Sequence, residues 1–245
     1  MSIRKYFFMV LILPLFCSSC SKELDLYPET VISEENFWET EKDLDAGVNA
    51  VYQALHGRQT NIRTFGLFAM QDVMTDIAAA RTVSPFNAVS SGVYESNNNV
   101  VKSRWVDAYR GIIRANDVIT HIQDIEAPES VRNERYGEVL FLRAWYYFNL
   151  VYFFGDIPLV LDVPTLDNAN PPRTHRDTVL MQMHADLEEA IALLPAQPSR
   201  VGRASLGAAL TLKAKIYMQE LQYELAIPVL EDIMELGYTL WFSPL

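Results

Sequence analysis

The stretch from Leu140 to Val160, LFLRAWYYFNLVYFFGDIPLV, decides the fold class of this chain. It has the length and apolar character of a membrane-spanning helix, but Arg143 lies inside it and Gly155, Asp156 and Pro158 close it. A charge at the centre of a spanning helix costs about 2.5 to 3.5 kcal/mol on insertion scales, and Gly-Asp-x-Pro is typical of a turn. The stretch therefore predicts a long helix buried inside a globular domain.

The rest of the chain shows helical periodicity and no strand signal of comparable strength. A helix that starts after Thr40 runs to about His56. Further helices are predicted over Phe65–Ala80, Val101–His121, Ser130–Phe154, Asp177–Leu194, Ser205–Gln219 and Tyr223–Leu236. Residues 81–100 are predicted to form a long loop, because Pro85, Gly92 and three consecutive asparagines interrupt the periodicity. The predicted fold class is all-α with irregular loops.

The last two predicted helices carry the pattern of a tetratricopeptide hairpin. Ala214, Tyr217, Tyr223 and Ala226 fall at the small and aromatic positions of that repeat, where small residues let two helices approach closely. Gln222 replaces the usual turn residue, and a single hairpin of this kind can also arise by chance. Helix pairs elsewhere in the chain favour a stack of tetratricopeptide-like helical hairpins.

The N-terminus has the three parts of an export signal. Arg4 and Lys5 precede an apolar segment from Tyr6 to Phe16, and small residues lead to Cys20. The apolar segment is shorter than the roughly 20 residues that span a bilayer. We predict a lipoprotein signal peptide over residues 1–19, a lipidated Cys20 with a tether over residues 20–31, and a helical domain over residues 32–245. The alternative is an ordinary secretory signal.

Charge and catalytic spacing exclude several classes of function. The formal net charge of -11 repels nucleic acid and anionic lipid headgroups. The chain has no phosphate loop, nucleophile elbow or paired-histidine helix, and its four histidines lack ligand spacing. The sequence therefore carries no signature of these enzyme classes, and it predicts no cofactor and no metal. Asp186, Glu188 and Glu189 are predicted to be solvated surface carboxylates.

The aromatic residues have two possible roles, in the core or as platforms for sugar rings. Those between Tyr146 and Phe154 recur at helical spacing, which favours packing. Phe86 and Tyr94 lie among amides and hydroxyls in the predicted loop, and there the two roles stay open.

Several blocks of the sequence resemble one known family, in its order and over essentially the whole chain. They are the segment before Cys20, ISEENFWETEKDLDAGVNAVYQAL from Ile32, YRGIIRANDVI from Tyr109, EVLFLRAWYYFNLVYFFGDIPLV from Glu138 and GRASLGAALTLKAKIYM from Gly202. In these blocks the chain resembles the N-terminal portion of SusD/RagB lipoproteins. Members of that family are considerably longer, so the chain looks like the front part of a longer protein.

The resemblance implies a lipid-anchored protein of the outer membrane that faces the cell exterior. Such a protein captures an oligosaccharide or similar nutrient and delivers it to a SusC-type TonB-dependent transporter, without being an enzyme. The segment SKELD from Ser21 likewise resembles the acidic signal that sends Bacteroidetes lipoproteins to the cell surface. Two other functions stay open: a tetratricopeptide envelope scaffold that binds protein or peptide partners, and a helical glycoside hydrolase.

The same resemblance indicates residues for binding and for structure. Asp76 matches an acidic position that opens the ligand-facing loop, and Arg81, Tyr94 and Asn97 follow in that loop; Phe86 joins them as an aromatic candidate. For Asp76 the alternative is a turn contact at a helix end. Two further residues, Asn116 and Arg143, resemble structural signature positions. We expect both to be at least partly buried and bonded to loop backbone.

Overall fold

The computed structural model describes residues 37–56, 71–80 and 85–239. Within them the chain forms helices and two isolated β-bridges, with no β-strand. The helices are α1 (Glu41–Gln53), a 3-10 turn (Ala54–His56), α2 (Pro85–Ser90), α3 (Asn99–His121), α4 (Glu129–Phe154), α5 (Arg176–Leu193), α6 (Leu206–Gln219) and α7 (Tyr223–Glu235). The all-α prediction is confirmed.

The helices pack mainly on their neighbours in sequence. Helix α4 lies between α3 and α5, α1 covers α3 and α4, and α6 packs on α5 and pairs with α7. The α6–α7 pair is the hairpin that the repeat pattern predicted, and Ala214 and Ala226 are buried where its two helices meet. The tetratricopeptide-like prediction is confirmed.

Several helices begin at side chains that cap their free backbone groups. The Asp43 carboxylate accepts a hydrogen bond from the Thr40 backbone N–H at 2.8 Å, which starts α1. The hydrogen bond from the Thr40 hydroxyl holds the pKa of Asp43 below its usual value. At α6, Ser205 Oγ accepts from the Ala208 N–H at 3.2 Å. These caps define where α1 and α6 start.

Helix α4 is an inner helix whose aromatic side chains form much of the core. Tyr146 and Tyr147 are fully buried. The Tyr146 hydroxyl donates to the Val51 carbonyl at 2.7 Å, and the Tyr147 hydroxyl donates to the Val160 carbonyl at 2.7 Å. None of the described helices is long and apolar enough to span a membrane. The prediction that this stretch is a buried helix is confirmed.

The region before α3 differs from the sequence prediction in two ways. Residues 81–100 were predicted as an uninterrupted loop, but α2 lies within them and α3 begins at Asn99. Proline is well tolerated in a first helical turn, where its missing N–H needs no partner. The helix predicted over Phe65–Ala80 lies partly outside the described residues, and its described part ends at Val73.

Candidate functional site

A pocket of about 580 Å³ lies between the end of α2 and the start of α3. It falls in the segment that the sequence indicated for ligand binding. Its lining residues are Ala88, Gly92, Val93, Tyr94, Glu95, Asn97 and Asn98. We call it the α2–α3 pocket.

One wall of the α2–α3 pocket is set by the way α2 ends. Gly92 has a φ of +71°, a conformation that glycine adopts at little cost. Its N–H donates to the Val89 carbonyl at 3.1 Å, and the Val93 N–H donates to the Ala88 carbonyl at 3.0 Å. This pair of bonds is a Schellman motif. It turns the chain sharply, so the residues after Gly92 leave the helix axis and line one side of the pocket.

The other wall is fixed by the start of α3. The Asn98 side chain accepts a hydrogen bond from the Val100 N–H at 2.8 Å, which caps the helix. The Asn98 N–H donates to the Glu95 carbonyl at 2.9 Å. Both ends of the short segment from Val93 to Asn97 are therefore tied to helix termini. A loop anchored in this way keeps its backbone in place, which limits the backbone entropy lost on binding.

The exposed side chains of this segment match the chemistry of a sugar. Tyr94 is 41% exposed and offers an aromatic ring to the C–H face of a pyranose. Asn97 and Glu95 are also exposed. An amide and a carboxylate can together donate to and accept from hydroxyl groups. The pocket can therefore stack one sugar ring and hydrogen-bond its hydroxyls.

The predicted ligand residues do not all lie in the α2–α3 pocket. Tyr94 and Asn97 line it. Phe86 lies on α2 and is only 8% exposed, so its ring packs and is not presented to a ligand. Asp76 is exposed in a turn after Val73 and does not line the pocket. Arg81 lies outside the described residues, as does Cys20.

Five lining residues were not singled out from the sequence as binding candidates: Ala88, Gly92, Val93, Glu95 and Asn98. The sequence contained a signal for them, because a glycine after an apolar helical turn is a helix stop and an Asn before a helical run is a cap. A segment between such a stop and such a cap is short and fixed. Pro85, Gly92 and the asparagines were interpreted as helix breakers, so the short helix between Pro85 and Ser90 was missed.

Asn116 and Arg143 are both buried and bonded to each other. The Asn116 amide donates to the carbonyls of Val160 and Asp162 at 2.9 and 3.2 Å, in the loop that leaves α4. Arg143 Nη1 donates to Asn116 Oδ1 at 3.0 Å. The expected burial is confirmed for both residues, and the expected bond to loop backbone is confirmed for Asn116.

The main partner of Arg143 is a carboxylate and not loop backbone. Its Nε and Nη2 donate to the two oxygens of Asp186 at 2.8 and 2.6 Å, a bidentate pair. Burial alone would lower the pKa of Arg143, but the bonds to Asp186 raise it. Asp186 itself is buried. The prediction that it is a solvated surface residue is wrong, because it ties α5 to α4.

A second concave site lies between α4 and α6. This groove has a volume of about 570 Å³, and its lining includes Phe141, Trp145, Lys215 and Tyr238. The sequence analysis did not single out these four residues.

Among the described side chains, no group of three or more His, Cys, Asp or Glu could hold a metal ion.

Comparison with known proteins identifies relatives of this architecture. A family model of SusD-like proteins, described as starch-binding and associating with the outer membrane, matches residues 24–218. Two curated SusD-like proteins of Formosa agariphila are 30% identical over 220 residues and 29% identical over 231 residues. These matches cover 85% and 93% of this chain, but 42% and 44% of the relatives. The chain thus spans less than half the length of these relatives.

Solved structures of related proteins have the same fold. A laminarin-binding SusD-like protein superposes with a TM-score of 0.75 at 27% identity, covering 83% of this chain and 47% of that one. A SusD-like carbohydrate-binding protein from Bacteroides fragilis gives a TM-score of 0.73 at 25% identity, covering 82% and 41%. Both are named as binding proteins, in agreement with the expectation of a protein that is not an enzyme.

Proposed function

This chain belongs to the SusD-like family, and from that premise we propose that it binds an oligosaccharide at the surface of the outer membrane. The observation that carries the proposal is the α2–α3 pocket. It presents the Tyr94 ring, the Glu95 carboxylate and the Asn97 amide from a segment fixed at both ends. The laminarin-binding relative supports a glycan as the ligand.

We propose that the protein is attached to the membrane through its N-terminal segment. In our proposal, residues 1–19 are removed as a signal peptide, Cys20 carries the lipid, and residues 20–31 form a tether to the helical domain from residue 32 onward. The family description, which places such proteins at the outer membrane, supports this arrangement. Several acyl chains on one cysteine hold a protein firmly, whereas a single chain binds reversibly.

The partner that receives the ligand is, in our proposal, a SusC-type TonB-dependent transporter. A binding protein that is tethered to the membrane stays at high effective concentration next to a transporter in the same membrane. The predicted tether is short and polar, so the domain would remain within a few nanometres of the lipid surface. The 32–245 domain is proposed to be one portion of the complete binding protein.

Substitution of Tyr94 tests the location of the site. In the complete protein as expressed from its gene, Tyr94→Ala should weaken oligosaccharide binding about tenfold. Loss of a stacked ring of this size removes about 1.4 kcal/mol. Isothermal titration calorimetry with laminarin and starch oligosaccharides is the measurement. Tyr94→Phe keeps the ring and should bind within about threefold of the wild type.

The groove between α4 and α6 supplies the matched control. Trp145→Ala removes an aromatic ring from that groove and should leave oligosaccharide affinity unchanged. If Trp145→Ala abolishes binding while Tyr94→Ala does not, the glycan binds in the groove and the pocket assignment is wrong. If the wild-type protein binds no glycan over a broad panel, the proposed function itself is wrong.

A further inference from the structure

The α2–α3 pocket carries one negative charge. Among the described residues that line it, Glu95 alone has a charged side chain, and that side chain is exposed. The other lining residues are apolar or uncharged: Ala88, Gly92, Val93, Tyr94, Asn97 and Asn98. Within the described part of the chain the Glu95 carboxylate has no ion-pair partner. Lys102, the basic residue nearest to Glu95 in sequence, does not line the pocket.

The backbone fixes the place of this charge in the pocket. The Glu95 carbonyl accepts a hydrogen bond from the Asn98 N–H at 2.9 Å, which ties Glu95 to the start of α3. Glu95 directly follows Tyr94 and lies two residues before Asn97. A sugar that stacks on the Tyr94 ring is therefore held next to the residue that carries the charge. A negative group on that sugar is repelled, because like charges at short range oppose each other.

The N-terminal end of α3 offsets this charge only in part. Such a helix end favours anions, with an effect equivalent to about half an elementary charge. At α3 the Asn98 side chain accepts a hydrogen bond from the Val100 N–H at 2.8 Å, which already satisfies one of the free donors. Glu95 carries a full charge, so the balance at the pocket is negative. The formal net charge of the whole chain, -11, has the same sign.

We propose that Glu95 makes the α2–α3 pocket select uncharged glycans and reject glycans that carry carboxylate or sulfate groups. This inference rests on the proposed function, the binding of an oligosaccharide in this pocket. A sugar hydroxyl can donate a hydrogen bond to the Glu95 carboxylate, whereas an ionised uronic acid has no proton to donate there and adds a second negative charge. A repulsive group of this kind gives specificity by weakening the binding of the wrong ligand.

Matched ligands test the selection by charge. For the complete protein as expressed from its gene, laminarin and starch oligosaccharides are compared with the same oligosaccharides after oxidation of their C6 hydroxyls to carboxylates. The oxidised form should bind at least tenfold more weakly at about 0.01 M salt. Its methyl ester, which keeps the added carbonyl but not the charge, should recover most of the affinity. Raising the salt to about 0.15 M should narrow the difference, because the screening length falls from about 30 to about 8 Å.

Two variants with the same change in net charge assign the effect to Glu95. Glu95→Gln should lower the ratio of the two dissociation constants, oxidised over parent, at least threefold. Glu224→Gln removes an exposed carboxylate on α7, outside the pocket, and should keep the wild-type ratio.

Three results would overturn the selection by charge while the proposed function stands. They are equal binding of the oxidised and parent forms, a methyl ester that binds as weakly as the acid, and a wild-type ratio in Glu95→Gln. If the wild-type protein binds no glycan over a broad panel, the proposed function and this inference both fail.

Discussion

Arg143 is the residue whose removal should affect the stability of the fold most directly. Its guanidinium joins α4 to Asp186 on α5 and to Asn116 on α3, and all three side chains are buried. Arg143→Met should lower the free energy of unfolding by about 3 to 5 kcal/mol, because it leaves the Asp186 carboxylate buried without its partner. Urea denaturation followed by circular dichroism measures this change.

A double variant separates the lost charge pair from lost packing. Arg143→Met with Asp186→Leu removes both charges and should recover most of the stability that Arg143→Met loses. Lys213→Met is the control, in an ion pair whose partner is exposed to solvent. Its ammonium group lies 3.5 Å from a largely exposed Glu188 carboxylate, so it should cost about 1 kcal/mol at most. If Arg143→Met costs no more than Lys213→Met, the buried pair does not stabilise the fold as argued.

The sequence pointed to two members of this cluster and missed the third. Arg143 stood out because it lies inside an apolar helical stretch, and both Asn116 and Arg143 resemble structural signature positions. Asp186 did not stand out, because Glu188 and Glu189 follow it and the three together look like one solvated surface. Successive residues on a helix point in different directions. Only the packing of α5 on α4 decides that Asp186 faces inward while its neighbours are exposed.

At the scale of elements, the turn between α6 and α7 contains a strained residue. Leu221 has a φ of +60° and is 71% exposed. Its N–H donates to the Met218 carbonyl, and the Gln222 N–H donates to the Tyr217 carbonyl, which completes a Schellman motif. A non-glycine residue in this conformation costs about 1 to 2 kcal/mol. The hairpin therefore holds Leu221 in a conformation that its side chain disfavours.

Leu221→Gly should stabilise the protein by about 0.5 to 1 kcal/mol. The glycine relieves the strain, and part of that gain is offset by its larger conformational entropy in the unfolded chain. Thermal unfolding should show a rise in Tm of about 1 to 4 °C. Gln222→Gly is the control, since Gln222 has a φ of -90° and gains nothing from glycine. A Tm that falls for Leu221→Gly would contradict the argument.

The long helices were predictable because their apolar stripes extend over many turns, whereas the short helix α2 was not. It has only six residues, too few for periodicity to be distinguished from chance. Helix formation over such a length depends on tertiary contacts, here the burial of Phe86 and Val89. Pro85 was interpreted as a breaker, although its position at the start of α2 is one that proline accepts.

At the scale of the whole molecule, the sequence indicated where to look for the site but not its geometry. The segment 81–100 was singled out by its length and polarity, and the α2–α3 pocket lies within it. The end of α2 and the start of α3 decide which side chains face the pocket. These two helix termini come together only when the chain folds. Tyr94 and Asn97 were therefore identified as candidates, while Glu95 was missed.

A network of charges joins distant parts of the chain. Arg135 on α4 donates to Asp45 on α1 at 2.8 Å and to Glu138 at 2.7 Å. The loop before α6 adds Arg200, which donates to Asp45 at 2.6 Å, and Arg203, which donates to Glu138 at 3.0 Å. Burial alone would raise the pKa of Asp45, but the bonds from Arg135 and Arg200 hold it below its usual value.

This network should make the stability of the whole molecule sensitive to acid. The pKa of Asp45 is lower in the folded state than in the unfolded state. Its contribution to the free energy of unfolding is therefore present above the unfolded pKa of about 3.9. This contribution is lost as pH falls through the pKa of the folded state. Asp45→Asn should cost about 1 to 3 kcal/mol at pH 7 and reduce the difference in unfolding free energy between pH 7 and pH 3. Urea denaturation at both pH values measures this. Asp232→Asn, an exposed change on α7, is the control and should keep the wild-type difference in unfolding free energy between pH 7 and pH 3. If Asp45→Asn also keeps the wild-type difference, the network does not act through Asp45.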